Sequence, residues 1–172
     1  ECSTETGMVT VVDPASGFVT GGGYIESPAG AYKSEVALTG KANFGFVSKY
    51  KKGLSTPSGN TLFKFKTAGF KFQSSSYEWL VVTASGCAKY KGDGIINEDS
   101  SVEYGFMLTA CDNGEGIDAD ADTFRIKIWQ KSDDSVTYDN MLDASDDSYG
   151  GTSISGGNIQ IHNQGGKKNI RG

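Results

Sequence analysis

The residues with the clearest capacity for chemistry are five acidic side chains in one short polar segment: Asp112, Glu115, Asp118, Asp120 and Asp122. The last three alternate along the chain, so their carboxylates can converge on one hard cation. Calcium takes six to eight oxygen ligands at about 2.3–2.6 Å, and a flexible carboxylate-rich loop can supply them. Without a cation these charges would repel one another. The spacing predicts a calcium site, and a solvated acidic connection is the alternative.

The loop does not follow the EF-hand pattern, because Thr123 stands where that pattern has Gly and Trp129 stands where it has Glu. Two further acidic stretches, residues 133–134 and 143–147, are candidates for a second ion. A solvated turn is the interpretation we favour for both.

Two cysteines fall opposite each other when the chain is folded as a hairpin about Asp99. In that register Cys87 faces Cys111, and the neighbouring pairs on the other face are apolar. Opposed residues in a non-hydrogen-bonded pair have Cα atoms about 4.5–5.5 Å apart, within reach of a disulfide. We therefore predict a Cys87–Cys111 disulfide, with two reduced buried thiols as the alternative. A disulfide requires an oxidising compartment, and Cys2 is left to pair between chains or to stay free.

Aromatic side chains are the candidates for ligand contact. Trp129 alternates onto the same face as Arg125 and Lys127, where an indole ring can stack on a sugar or on a partner chain. The alternative is that both faces of the sheet are covered and Trp129 belongs to the core. Tyr50 and Tyr138 are the other two residues that we predict on a binding cleft or platform.

Catalytic patterns are scarce. A Ser–His–Asp triad would have to be built on the single histidine, His162, and the chain has no G-x-S-x-G motif. Histidine and cysteine are too few for a zinc cluster. A glycosidase needs only two carboxylates in a cleft, so a polysaccharide-active enzyme stays as an alternative. We expect a protein that is not an enzyme.

Charge and hydropathy exclude two classes of partner. The net charge is −5 and the pI is about 4.9, which does not suit a nucleic-acid binder. No apolar run approaches the length of a membrane span. The chain begins at Glu1 rather than Met, which we interpret as a mature secreted form with its leader removed.

These side chains must be positioned by strands. Residues 41–51 alternate apolar and polar, residues 61–66 and 124–129 repeat the pattern, and the same alternation is predicted to place Tyr77 and Trp79 on one face. Turn residues separate the runs, with a strong turn predicted at 57–60. About ten strands at this spacing predict an all-β, antiparallel β-sandwich or jelly-roll-like fold, with a closed barrel as the alternative.

We predict one β-domain over residues 14–163. Residues 1–13 form an N-terminal tail that carries a candidate exchangeable strand at 8–12, and residues 164–172 form a flexible C-terminal tail.

A succession of short motifs resembles the post-COAP type of β-domain found in bacterial secreted and surface proteins. The motifs lie at residues 20–25, 40–47, 57–60, 104–109, 122–129 and 156–162. The resemblance implies secretion and a non-catalytic role, and it carries over no catalytic residue. Cys87 and Cys111 stand as additions to the family pattern.

Three functions follow as hypotheses. The first is a calcium-stabilised extracellular module with an adhesive or carbohydrate-binding role, whose partner is a glycan or another cell-wall component. The second is a self-assembling filament subunit that adds the strand at residues 8–12 to a neighbouring copy of the chain. The third is the polysaccharide-active enzyme.

Overall fold

A computed structural model describes residues 17–51, 53–114, 119–142 and 144–162. Ten strands account for most of them: β1 (Phe18–Ser27), β2 (Gly40–Tyr50), β3 (Pro57–Phe65), β4 (Phe70–Val82), β5 (Cys87–Ile96), β6 (Asp99–Cys111), β7 (Thr123–Gln130), β8 (Val136–Asp139), β9 (Thr152–Ser153) and β10 (Gly156–His162). One 3-10 turn, Lys66–Ala68, joins β3 to β4 and ends at Gly69, whose φ of 60° suits glycine.

Hydrophobic alternation determines which side of each strand is buried. In β2 the side chains of Ala42, Phe44 and Phe46 are buried, whereas those between them are partly exposed. Strand β3 repeats this with Phe63 and Phe65, both fully buried. Period-two alternation puts every second side chain on one face, so each strand contributes one apolar row to the interior.

All strand pairs are antiparallel, and nearly all join consecutive strands. The hydrogen-bonded order is β10-β1-β2-β3-β4-β5-β6-β7-β8, and β9 pairs with the start of β7. Strand β4 pairs with β3 through residues 70–73 and with β5 through residues 72–82. It contains two register shifts, between Ser74 and Ser76 and between Tyr77 and Trp79. Bulges bend a strand and increase its twist, so β4 turns the sheet back upon itself.

Aromatic rings from the two halves of the sheet meet in the core. Phe44 of β2 stacks on Phe124 of β7 with a centroid distance of 4.2 Å and an interplanar angle of 7°. Phe63 of β3 contacts Tyr138 of β8 at 4.8 Å. Residues far apart in the strand order therefore touch face to face, which is the packing of a sandwich. The predicted all-β antiparallel sandwich is confirmed.

The alternative of a closed barrel is wrong. Strands β10 and β8 are the two ends of the hydrogen-bonded order in the described part of the chain, so the sheet stays open. The gap beside β10 is bridged by Asp122, next to the start of β7. Its Oδ2 accepts the backbone N–H of Ile159 at 2.8 Å, and its carbonyl oxygen accepts that of Ile154 at 2.9 Å.

The hairpin of β5 and β6 has the predicted register. Cys87 pairs with Cys111, Tyr90 with Leu108, and Gly94 with Tyr104. The turn is not centred on Asp99 as predicted, because Ile96 already pairs with Asp99 across a two-residue turn. Both turn residues, Asn97 and Glu98, have positive φ, which is the conformation of a type I′ hairpin turn. A bulge after Gly94 reconciles this turn with the register further along.

Two local predictions are wrong. Residues 57–60 are not a turn but the first residues of β3, and the turn lies before them, where Gly53 has a φ of 81°. Trp79 does not share a face with Tyr77, because the bulge between them shifts the alternation by one residue. Tyr77 therefore packs against the core, and Trp79 points to the outer side.

The predicted tails at residues 1–13 and 164–172 lie outside the described residues, as do the candidate strand at 8–12 and Cys2. Within the described ranges, no helix has the length and apolar character that crossing a membrane requires.

Candidate functional site

The outer side of β4–β7 carries both tryptophans of the chain. Residues directly opposite each other in an antiparallel pair share a face. One row across the four strands contains Trp79, Lys91, Met107 and Lys127 in register, and Trp129 lies in the adjacent row, opposite Gly105. The inner neighbours Tyr90, Leu108 and Ile128 are fully buried, which fixes this row on the outer side. We call these five side chains, two tryptophans, two lysines and a methionine, the tryptophan face.

Glycine at position 105 makes room for the indole of Trp129. A Cβ atom at Gly105 would approach the indole within 2.5 Å, so any larger residue would push the ring away. The same space lets Lys91 reach across from β5, and its Nζ lies 5.7 Å from the ring centroid. Trp129 thus lies flat on β6 and is partly exposed, a geometry suited to stacking on a planar or ring-shaped ligand.

An open depression of about 320 Å³ surrounds this ring. It is lined by Lys91, Met107, Lys127, Trp129, Asp134 and Asp146. Apolar surface from the indole and the thioether is therefore combined with ammonium donors and carboxylate acceptors. That mixture is typical of a small-molecule site, in which a few polar groups orient a ligand held mainly by apolar contact.

The lysines around the depression are all in ion pairs. Lys91 lies 3.6 Å from Glu78, Lys127 lies 2.8 Å from Asp146, and Lys131 lies 3.0 Å from Asp93. The Lys131 pair raises the pKa of that ammonium, chiefly through its hydrogen bond to the Asp93 carboxylate. Each pair presents hydrogen-bonding groups of both kinds and adds no net charge to the face.

Beside the tryptophan face, residues 144–150 cross the outer side of β5–β7; we call them the strap. Arg125 of β7 is 1% exposed beneath it. Its guanidinium binds both carboxylate oxygens of Asp139, at 3.1 and 2.9 Å, and the strap carbonyls of Ala144 and Ser145, at 3.2 and 2.9 Å. Arg125 is therefore a buried anchor rather than part of a solvated row.

Lys89 of β5 holds the next part of the strap. Its Nζ donates to the carbonyl oxygens of Asp146 and Ser148, and it lies 4.5 Å from the centroid of the Tyr149 ring. Burial lowers the pKa of Lys89, and the Arg125 guanidinium lowers it further. The acidic stretch predicted as a solvated turn or second ion site is thus held by protein cations along its described residues.

The predicted disulfide is confirmed. Cys87 and Cys111 are bonded, with a Cα separation of 4.1 Å, at the open end of the β5–β6 hairpin. The strap passes directly over it, because the carbonyl oxygen of Tyr149 lies 3.2 Å from the Cys111 sulfur. The covalent cross-link and the strap therefore stabilise the same end of the sheet.

The predicted calcium loop is described only in part, since Glu115 and Asp118 lie outside the described residues. Asp122 is 7% exposed, and its two carboxylate oxygens accept backbone N–H groups of Asn113 and Ile159. Asp112 accepts the N–H of Gly114 at 3.0 Å, and Asp120 is exposed.

Counting only side chains in the described ranges, no group of three or more His, Cys, Asp or Glu residues is placed to hold an ion. Two of the five predicted ligands are missing from that count, so calcium binding stays a prediction.

The two tyrosines predicted beside Trp129 lie elsewhere. Tyr138 has no exposed surface: it packs against Phe63 and its hydroxyl lies 2.8 Å from the hydroxyl of Ser27. Burial raises the pKa of the Tyr138 phenol well above its ordinary value. Tyr50 packs against the core, and its hydroxyl bonds to the backbone N–H and C=O of Leu80. Both rings thus serve the core, and Trp129 alone of the three lines the depression.

Sequence reasoning missed Lys91, Met107 and Lys89 as members of these sites. The signal was present in the hairpin register, which opposes Lys91 to Met107. Only the interior face of that register was used for prediction. His162, the residue on which a triad would have to be built, stacks on Phe18 at a centroid distance of 4.1 Å.

Comparison with known proteins yields no relative from which a function can be transferred: no protein-family model, no curated protein and no solved structure matches the chain.

Proposed function

We propose that the protein is a non-catalytic extracellular β-module that binds carbohydrate through its tryptophan face, in an adhesive role at a cell surface or cell wall. The observation that carries the proposal is the partly exposed Trp129 indole, lying flat over Gly105 inside a depression that also holds lysine and aspartate side chains. Sugar rings combine an apolar face with a rim of hydroxyls. An aromatic ring bordered by charged donors and acceptors complements both.

The extracellular location is supported by the Cys87–Cys111 disulfide, because such bonds persist in oxidising compartments and are rare in reducing ones. The resemblance to post-COAP domains points the same way. An adhesive role also agrees with the sandwich fold. Its core is filled largely by aromatic side chains, so its outer faces and loops are the surfaces that can contact a ligand.

Calcium is part of the proposal as a structural ion. The acidic segment joins β6 to β7, and its last carboxylate, that of Asp122, already holds the start of β7 against β10. A cation shared by the alternating aspartates would neutralise this segment and stiffen the junction.

The test is a panel of neutral and acidic oligosaccharides, scored by the rise in melting temperature and by direct binding. We expect at least one class of glycan to stabilise the native protein. Trp129→Ala should remove that stabilisation, because the stacking surface is lost.

Tyr24→Ala is the matched control. Tyr24 also lies over a cross-strand glycine, Gly156, with the ammonium of Lys41 4.1 Å from its ring, but it stands on β1, away from β4–β7. It should leave glycan binding unchanged. Silence across the whole panel, or equal losses in the two variants, would reject the proposal.

A further inference from the structure

We infer that the ligand of the tryptophan face is an uncharged, linear polysaccharide that runs across strands β4–β7 and contacts Trp79 as well as Trp129. The inference deepens the proposed function and depends on it. It is carried by three observations: the position of Trp79, the side chains between the two indoles, and the balance of charge.

Trp79 reaches the outer face only because of the bulge in β4. Leu80 and Tyr90 are paired and fully buried. The adjacent pair along the two strands, Trp79 and Lys91, therefore points to the outer face. Trp79 is partly exposed. The Trp129 ring lies over Gly105 of β6, and two strand spacings, about 10 Å, separate β6 from β4, which carries Trp79. One sugar ring covers one indole, so a ligand that touches both must contain more than one sugar.

The surface between the indoles is suited to such a chain. Lys91 lies between them, since it pairs in register with Trp79 and extends its ammonium over Trp129. Met107 lies beside Lys91 on β6 and is 7% exposed, which makes a flat apolar floor. Glu78 is bound to Lys91 and 45% exposed, so it is an acceptor for hydroxyl groups.

The balance of charge on this surface favours an uncharged polysaccharide. The three lysines of this region are each bound to a carboxylate on the same side of the protein, namely Glu78, Asp93 and Asp146. A further carboxylate, that of Asp134, lines the depression and has no balancing lysine among these pairs. An acidic polysaccharide would meet no excess of positive charge here. Binding should therefore depend little on ionic strength.

Intrinsic fluorescence tests the inference, because the chain has only two tryptophans. Trp79→Phe leaves Trp129 as the sole indole, and Trp129→Phe leaves Trp79. Each variant is titrated with a neutral monosaccharide and a neutral hexasaccharide of the class found in the panel, and with an acidic hexasaccharide, at low and high salt. Far-UV dichroism of both variants checks that the sandwich is intact.

We expect the hexasaccharide to change the emission of both variants and the monosaccharide to change only that of Trp79→Phe. The hexasaccharide should bind Trp79→Ala about tenfold more weakly than the native protein, with no loss for the monosaccharide. If only Trp129 responds, to the monosaccharide and to the hexasaccharide alike, this inference is overturned and the proposed function stands. If binding weakens steeply with salt, or if an acidic hexasaccharide binds more tightly than the neutral one, the inference that the ligand is uncharged is overturned. No response from either indole to any glycan would reject the proposed function itself.

Discussion

At the scale of single residues, the buried pair of Arg125 and Asp139 shows how a charged side chain can occupy an apparently solvent-facing position. Arg125 is 1% exposed and the side chain of Asp139 is 6% exposed, and the carboxylate meets the guanidinium through two hydrogen bonds. Asp139 also accepts the backbone N–H of Met141 at 2.9 Å. A buried charge is tolerated only when it is paired and hydrogen-bonded, so neither residue can be changed alone without a large cost.

We predict that Asp139→Asn lowers the free energy of unfolding by about 3 kcal/mol, because it removes the carboxylate that is doubly hydrogen-bonded to the buried guanidinium and leaves only the exposed carboxylate of Asp146, 3.7 Å away. Urea denaturation measures the change. The control is Glu78→Gln, whose side chain is 45% exposed and pairs with Lys91 at 3.6 Å, away from Arg125. That variant should cost no more than about 1 kcal/mol. Equal effects of the two variants would contradict a special role for the buried pair.

Residue-level prediction from the sequence succeeded where strict alternation held and failed where a bulge or a distant segment intervened. The alternation placed Trp129 on the outer face correctly. It gave the wrong face for Trp79, since a β-bulge leaves no clear mark in the hydropathy pattern. Burial of Arg125 depends on the strap, whose contacting residues lie nineteen and twenty positions further along the chain. Periodicity cannot reveal such a contact.

At the scale of elements, the β5–β6 hairpin was the most predictable part of the fold. Its register, its disulfide and its apolar face all followed from one antiparallel alignment. The turn could not be predicted to the residue, because Asn97 and Glu98 adopt positive φ without a glycine. The hairpin register is thus specified twice, by the turn with its bulge and by the disulfide at the far end.

We predict that replacing both cysteines, Cys87→Ala and Cys111→Ala, lowers the free energy of unfolding by about 3 kcal/mol, because the unfolded chain regains the freedom of a loop of some two dozen residues. The comparison is made in a Cys2→Ser background, so that the remaining thiol does not exchange. Chemical denaturation gives the energy. Hydrogen exchange of the β5 and β6 amides should show the register retained, and loss of protection throughout the hairpin would contradict a turn-specified register.

At the scale of the whole molecule, the open sheet is stabilised across its gap by Asp122. The residue stands immediately before β7 and receives N–H groups from Ile154 and Ile159, on either side of the start of β10. It therefore joins β10, at one end of the strand order, to the start of β7, which lies next to the other end. This long-range role was not visible in the sequence, where Asp122 stood out only as the last of several alternating aspartates.

The calcium hypothesis and this bridging role can be separated by experiment. We predict that calcium at a hundred times its dissociation constant stabilises the native protein by about 2.7 kcal/mol relative to chelator. For a chain of this size that corresponds to a rise in melting temperature of roughly 5–10 °C.

Asp120→Asn should abolish most of that rise and leave the chelated protein unchanged, because its side chain is exposed. Asp122→Asn should lower the melting temperature even with chelator, since the amide offers one acceptor oxygen for two backbone N–H groups. Asp133→Asn, an exposed carboxylate held by Ser135 outside the segment, is the control and should keep the full rise. An identical melting temperature of the native protein with calcium and with chelator would reject calcium binding. If Asp122→Asn alone then had a lower melting temperature, the bridging role of Asp122 across the open edge would still be supported.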